Sequence, residues 1–492
     1  MNKIDNIFYK LDNKYFIYIV LIIALILRLY NLNYAGLWND ELFTAFTANP
    51  NNSIKAVIHF LKYDIHPPLH NIICNLWSKV FSFNDTSLRV LNILIGVWGV
   101  LSVYHLAKLL FNKKVAFYAI ALAALNYYLI RYSQEVRPYG LLILLSNYSF
   151  LYFVKLVKEE FTFKNSIWYV VVTTSLLYTH YFAVFVIAGQ FVTFFFIMDW
   201  SKFKQAILKY SVTFALPGLL FAIWLPTILD HLERKTEPWR DVAGLNLIFK
   251  YSQDFFNDYI LSFISVILFF FTVLYLLIIK FFKNKRIENF FSGMRVSLLI
   301  LIIWIAVYFL IPFIRSIFSD TMMVNRYFTP LVTPILLIFA FYFSKIENIK
   351  IKKSVFTTIL CYSVLLLFLN ESPYYTRSAT YREIAKEAKK INSDAHVLCL
   401  AKNGRYFEYY LWQNNIRKTS SRFDIFSKMI KENYPDEYFV FLNLRPIPQK
   451  YKEGIPKVEG YKMTSSKIFK NKSGIHSTKL FRFSKIKDSL QE

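Results

Sequence analysis

From residue 15 to residue 370 the chain is a succession of apolar runs separated by short polar and basic stretches. The runs at 15–30, 90–110, 115–130, 139–156, 207–229, 260–282, 296–314, 327–344 and 354–370 approach the roughly 20 residues an α-helix needs to cross a bilayer. In lipid every backbone amide must be satisfied internally, so runs of this length predict helical spans. The segment 167–198 reads as a short hairpin with Tyr178-Thr179-His180-Tyr181 at its outer tip. The segment 69–82, carrying His70, Asn71, Asn75 and Lys79, is shorter and more polar than a standard span. With 55% hydrophobic and 19% aromatic residues among 492, the chain has more apolar surface than a soluble protein of this size requires. The expected fold is an α-helical polytopic membrane protein with about 11 to 12 transmembrane helices.

Charge supplies orientation rather than a nucleic-acid partner. The net charge is +26, but Lys and Arg gather at the ends of the apolar runs and in the tail, and no nucleic-acid motif accompanies them. Lys108, Lys113 and Lys114, then Lys155, Lys158 and Lys164, Lys202 and Lys204, Lys283, Lys285 and Arg286, and Lys350, Lys352 and Lys353 mark cytoplasmic loops by the positive-inside rule. The N-terminus is then inside and the C-terminus outside, as in a bacterial-type inner membrane. Lys3, Lys10 and Lys14 before the first run suggest a signal peptide, but no small-x-small cleavage site follows, so an uncleaved first span is expected. Cys74, Cys361 and Cys399 are odd in number and lack metal-ligand spacing, which argues against a disulfide framework or a zinc site.

Two domains are expected. Residues 1–370 form the membrane domain, including a structured first outer loop at 32–68. Residues 371–492 turn polar and basic, with a helical pattern at 381–391 and strand-like runs at 396–400, 438–443 and 479–484, which predicts a small extracytoplasmic α/β soluble domain.

The first outer loop carries the residues that most ask for a functional reason. Asp40 and Glu41 stand side by side soon after the first span, where charge near lipid is costly. Asn39 reads as a helix N-cap, which places both acids in a first turn favoured by the helix dipole. Successive helical residues point about 100° apart, so the two acids cannot do the same job. Ile54, Val57, Ile58 and Leu61 follow at amphipathic spacing, and the loop closes on Asp64-Ile65-His66-Pro67-Pro68. Arg28, near the outer end of the first span, can snorkel to the interface or meet a lipid phosphate. A second polar cluster, Arg131 to Tyr139, is expected on the same face.

Arg28, Leu37-Trp38-x-Asp40-Glu41, His66-Pro67-Pro68-Leu69, Leu88-Arg89, Tyr132-Ser133-Gln134-Glu135-x-Arg137-x-Tyr139 and Asn325-Arg326-Tyr327 occur in that order. Together they resemble the GT-C membrane glycosyltransferases of the protein O-mannosyltransferase (family 39) and aminoarabinose-transferase group, over most of residues 15–345. The resemblance implies a sugar carried on a polyprenyl phosphate and passed to a glycan, lipid or protein acceptor on the non-cytoplasmic face, usually with inversion. Such a transfer needs a base for the acceptor proton and cations for the departing phosphate. By analogy with the family's first-loop acid, Asp40 is assigned as base, with Glu41 orienting the loop or acceptor. Arg131, Arg137 and Arg326 are assigned to the lipid phosphate, with interfacial anchoring as the competing reading for each. Arg28, His66, Glu135, Tyr139 and His180 complete the set expected to bind donor or acceptor. The bland alternatives are a capped helix start at Asp40-Glu41 and a turn merely shaped by Pro67-Pro68. No cofactor is required, although Asp64, His66 and His180 offer a divalent-metal alternative. A polytopic polysaccharide polymerase or ligase remains the alternative function. A transporter fits less well, because the polar residues concentrate in outer loops and related halves are not evident.

Overall fold

The computed structural model describes residues 13–159, 161–205, 207–232, 241, 243–281, 294–369, 380–391, 396–400, 404–416, 418–443, 455–470 and 477–486. Lys3, Lys10, Lys283, Lys285 and Arg286 lie outside them.

Two compact units emerge. One gathers the described residues of Met1–Tyr30, Ile54–Ile73 and Arg89–Pro373; the other gathers Asn31–Ser53, Cys74–Leu88 and Tyr374–Glu492. The segments 31–53 and 74–88 thus cluster with the C-terminal residues rather than with the spans among which the sequence places them.

The first unit is helical. Among the described residues six helices are long and apolar enough to cross a membrane: Asp85–Leu110, Tyr139–Lys158, Ile207–His231, Tyr259–Ile278, Arg295–Phe318 and Asn325–Lys345. A seventh span would be the pair Lys113–Leu125 and Tyr127–Ser133, bent by 58°. Tyr15–Leu29 and Ala183–Ile197 are apolar but shorter, so the described residues show six or seven helices of spanning length against the 11 to 12 expected. The chain is an integral membrane protein. Large apolar side chains such as Phe263, Phe270, Phe271 and Leu274 stay exposed along one of these helices, as a lipid-facing surface requires.

The bend at Asn126 has a local cause. Its backbone is extended, its side-chain oxygen accepts from the Leu129 amide at 3.0 Å, and its amide donates to the Phe255 carbonyl at 3.0 Å. The chain therefore stops one helix and caps the next at a new angle. Gly96 makes this packing possible, because a Cβ there would collide with the Ser133 side chain. Ser133 in turn accepts from Arg28 Nε at 3.1 Å, while Arg28 Nη1 donates to the Ala24 and Ala124 carbonyls, both at 3.1 Å. Arg28 is fully buried. Of the two readings the sequence left open, snorkelling to the interface does not fit a fully buried guanidinium that ties three helical segments together.

The second unit contains a five-stranded sheet in the order β2-β1-β3-β5-β4, where β1 is His396–Leu400, β2 Thr419–Ser420, β3 Glu437–Asn443, β4 Tyr461–Lys470 and β5 Ser477–Lys485. β1 pairs in parallel with β2 and β3, and the helices Gly404–Gln413 and Phe423–Asn433 supply the crossovers that parallel pairs demand. β3–β5 and β5–β4 are antiparallel. One face buries Leu398, Leu400, Tyr438, Val440 and Leu442 against Phe426 and Ile430. On the other, Phe407 stacks on Phe441 at 4.2 Å, beside Tyr381 of the helix Tyr381–Ile391.

Candidate active site

In the first unit, two loops meet at a pair of histidines. His66 precedes Pro67-Pro68 and the helix Leu69–Val80; His180 sits in the turn between Phe163–Leu177 and Ala183–Ile197. The Leu69 amide donates to the Tyr178 carbonyl at 2.9 Å, joining the loops, and the two imidazole centroids lie 4.7 Å apart. Tyr327 packs against both rings, with its centroid 5.9 Å from His66 and 4.7 Å from His180. Tyr139 does the same at 6.4 and 6.2 Å, and itself meets Tyr132 at 5.2 Å. A further chain fixes the loops from behind: the Trp224 indole donates to Tyr181 Oη at 3.0 Å, Tyr181 bonds His231 Nδ1 at 2.8 Å, and His231 Nε2 bonds the Lys62 carbonyl at 2.8 Å.

The imidazoles are buried but not spent on the protein. His180 Nδ1 accepts from the Phe182 amide at 3.1 Å, so the neutral ring carries its proton on Nε2. His180 Nε2 and both ring nitrogens of His66 are buried without a protein hydrogen-bond partner. Leaving such a group unmet costs about 1–3 kcal/mol, so three together mark a place made to receive a ligand's polar atoms. His70 differs, because its Nε2 bonds Asn92 Oδ1 at 2.9 Å.

The field at the pair is positive. Burial first, then Arg137, His180 and Arg326, hold His66 well below its ordinary value of 6.5. Burial, Arg137 and Arg326 lower His180 to about 3. Arg137 is buried, and Arg326 lies over the Tyr327 ring at 5.8 Å from its centroid. Neutral donors flanked by two guanidinium groups suit an anionic oxygen far better than a cation.

Arg326 is placed by its neighbours. Tyr128 donates to the Asn325 carbonyl at 2.8 Å, and Asn325 Nδ2 donates to Asp254 Oδ2 at 3.0 Å. Sequence reasoning missed Asp254, whose only signal was an acid in an outer loop; burial raises its carboxyl above the usual range. Arg131 is half-buried over the Tyr132 ring at 5.6 Å, and Glu135 is buried in the following turn. Gln134 holds that turn by donating to the Arg28 and Tyr30 carbonyls at 2.7 and 3.0 Å. Of the residues expected to bind donor or acceptor, His66, Arg137, Tyr139, His180 and Arg326 therefore come together, while Arg28 is committed to helix packing. No group of three His, Cys, Asp or Glu side chains among the described residues is placed to hold a metal ion, Asp64, His66 and His180 included.

Asp40 and Glu41 belong to the second unit. Their helix is Asn39–Thr47 and its N-cap is Trp38, one residue earlier than expected. Glu41 is fully buried, and its Oε2 accepts from the Trp38 amide at 3.2 Å. Asp40, half-buried, stands in the same first turn. Asn39 becomes the first helical residue, and its side-chain oxygen accepts from Tyr381 Oη.

Comparison with known proteins bears on this arrangement. The family model described as Dolichyl-phosphate-mannose-protein mannosyltransferase matches residues 65–224, the stretch that carries His66, Arg137, Tyr139 and His180. ArnT from Cupriavidus metallidurans in the apo state superposes with a TM-score of 0.60 at 11% identity, covering 94% of this chain and 97% of that one. The same protein bound to undecaprenyl phosphate gives 0.58 at the same identity and coverage. The chain has the fold of ArnT. An uncharacterized protein of Aquifex aeolicus (strain VF5) is 28% identical over 381 residues, 74% of this chain and 70% of its own length.

A pH dependence of stability follows from the histidine pair. An unfolded imidazole takes its proton near 6.5, whereas folded His180 does so only near 3, so between those values the unfolded chain binds more protons. The stabilisation is fully present above pH 6.5 and is lost as pH falls through that window, by at most about 1.4 kcal/mol per pH unit for each histidine. The apparent Tm in detergent should therefore be lower at about pH 5 than at about pH 7.5, and His180→Asn should flatten the decline. Identical slopes for the two proteins would mean that His180 titrates normally.

Proposed function

We propose that this protein is an inverting glycosyltransferase that moves a sugar from a polyprenyl-phosphate donor to a glycan, lipid or protein acceptor on the extracytoplasmic face of the membrane. The observation that carries the reading is the pair of buried imidazoles with unmet nitrogens between Arg137 and Arg326, a site shaped for an anionic phosphate. The match to the mannosyltransferase family model and the fold shared with an enzyme solved with undecaprenyl phosphate support it.

In this reading the donor phosphate sits against Arg137, Arg326 and His180 Nε2–H, with Arg131 nearer the surface. The acceptor oxygen attacks the anomeric carbon as the carbon–oxygen bond to phosphate breaks. Asp40 takes the acceptor proton, and the arginines stabilise the charge that grows on the leaving polyprenyl phosphate. Displacement in one step from the opposite side inverts the anomeric centre. Glu41, engaged with the Trp38 amide, holds the helix start from which Asp40 acts.

Mass spectrometry of polyprenyl-phosphate sugars and surface glycans, with the protein present and absent, tests the reading. Loss of the protein should make one polyprenyl-phosphate-linked sugar accumulate while one surface glycan or glycolipid loses that sugar. Unchanged profiles of both pools would end it.

A further inference from the structure

The second unit contains a network that the phosphate chemistry does not use, and all of it converges on the residues just before Asp40. Asp85 is at its centre: its Oδ1 accepts from Tyr409 Oη at 2.9 Å and its Oδ2 from Tyr410 Oη at 2.6 Å, while Arg382 Nη1 approaches Oδ2 at 3.8 Å. Tyr410 Oη also accepts from the Leu37 amide. Arg382 Nη2 donates to the Asn33 carbonyl at 2.9 Å, and Tyr381 Oη donates to Asn39 Oδ1. Gly36 lets the loop come this close, since a Cβ there would lie 2.9 Å from Tyr410 Oη and 3.0 Å from Arg382 Cβ.

Both Asp85 oxygens accept from a tyrosine hydroxyl. Tyr410 is buried, with its hydroxyl proton given to a carboxylate and its oxygen lone pair offered to a backbone amide. The result is a relay, Asp85 to Tyr410 to Leu37, that fixes backbone rather than side chain three residues before Asp40. Tyr381 fixes the next residue, Asn39, by its side chain. The other end of the helix is tied separately, with Asn75 Nδ2 donating to the Asn49 carbonyl at 2.8 Å. Holding a sheet domain to a loop requires only apolar contact. Polar grips at residues 33, 37 and 39 specify where the first turn begins and which way it faces.

We infer that Tyr381, Arg382 and Tyr410 of the C-terminal segment are positioning residues that set the geometry of Asp40, so that the soluble domain is part of the transfer machinery and not only an appendage. The inference rests on the reading of Asp40 as the base. It predicts that loosening the grip lowers turnover without weakening donor binding, because the hydrogen bonds these residues make run to Asp85 and to the loop at residues 33–39. Small misplacements of a reacting group cost rate steeply.

The test uses full-length Tyr410→Phe and Tyr381→Phe, each alone and combined with Asp40→Asn. Turnover is measured on the polyprenyl-phosphate-linked sugar that accumulates in cells lacking the protein, and binding is measured with undecaprenyl phosphate. Each tyrosine variant should lower kcat about tenfold while leaving undecaprenyl phosphate affinity within about twofold. Neither should lower the residual rate of Asp40→Asn further, since a base that cannot accept a proton gains nothing from correct placement. Tyr381→Phe removes one hydroxyl from a partly buried bond, so it reports even where Tyr410→Phe does not fold. Normal kcat in the tyrosine variants beside an impaired Asp40→Asn would overturn the positioning role alone. Full multiplication of the effects would assign the tyrosines to general stability and overturn it too. A fully active Asp40→Asn would instead overturn the base reading on which the inference stands.

Discussion

Asp40→Asn should lower turnover by about 10² or more while leaving insertion and donor binding intact. The substitution keeps size and one side-chain acceptor but removes the ability to take a proton, which separates chemistry from architecture. Glu41→Gln is the natural comparison, because Glu41 is fully buried and its Oε2 accepts from the Trp38 amide. A glutamine can still accept that hydrogen bond through its carbonyl, so only the charge contribution to the helix start is lost, worth roughly 0.3–1 kcal/mol at a helix N-terminus. A milder effect is therefore expected there. An acceptor that arrives already ionised needs no base; Asp40 would then position groups, and Asp40→Asn would raise KM more than it lowers kcat. Turnover and undecaprenyl phosphate binding measured on both variants separate these cases. Near-normal turnover in Asp40→Asn would return the stretch to a helix cap.

What could be read from the sequence depended on whether the signal was periodic or long-range. The helix Tyr381–Ile391 shows because Tyr381, Ile384, Ala385 and Ala388 bury one stripe. β1, β3 and β5 show because they carry short apolar runs inside polar sequence. β4 did not show: nearly all of Lys462 to Phe469 is exposed or half-exposed, so no buried face imposes alternation on the sequence. The helix Gly404–Gln413 was hidden by Tyr406, Phe407, Tyr409 and Tyr410, residue types that favour strands in isolation. The clustering of residues 31–53 with the C-terminal segment was invisible, since it depends on pairs such as Leu37 with Tyr410 that no local pattern encodes. In the site, motif order singled out His66, Arg137, Tyr139 and Arg326, while His180 showed only as part of the outer tip of the 167–198 hairpin. It could not tell that Arg28, from the same set of motifs, spends its donors on Ser133 and two helix carbonyls. Nor could it find Asp254, whose role comes from holding Asn325.

Arg137→Ala and Arg326→Ala should each weaken undecaprenyl phosphate binding by about 10-fold to 150-fold, the equivalent of one charge-assisted hydrogen bond worth about 1.5–3 kcal/mol. Arg137 should give the larger loss. Its side chain is buried and it stands first, after burial, among the causes that depress both histidines, whereas Arg326 ranks below it in each case. Arg131→Ala should give the smallest, because Arg131 lies over Tyr132 and is not among the cations that depress either histidine. Arg137→Lys keeps the charge but loses the planar fork, so it should recover part of the affinity if charge dominates and little if bidentate geometry does. The histidines give an independent check on the same site. Removing a buried cation next to His180 relieves its depression, so Arg137→Ala should move the His180 pKa up from about 3, observable in the imidazole resonances of labelled protein. A His180 pKa that rises all the way toward 6.5 would mean that the fold around the pair is lost, whereas affinity lost with that pKa unmoved would mean that Arg137 does not act on the imidazoles. If Arg137→Ala and Arg326→Ala both bind undecaprenyl phosphate as the parent protein does, the imidazole pair and its arginines do not form the phosphate site, and interfacial anchoring is what these cations do.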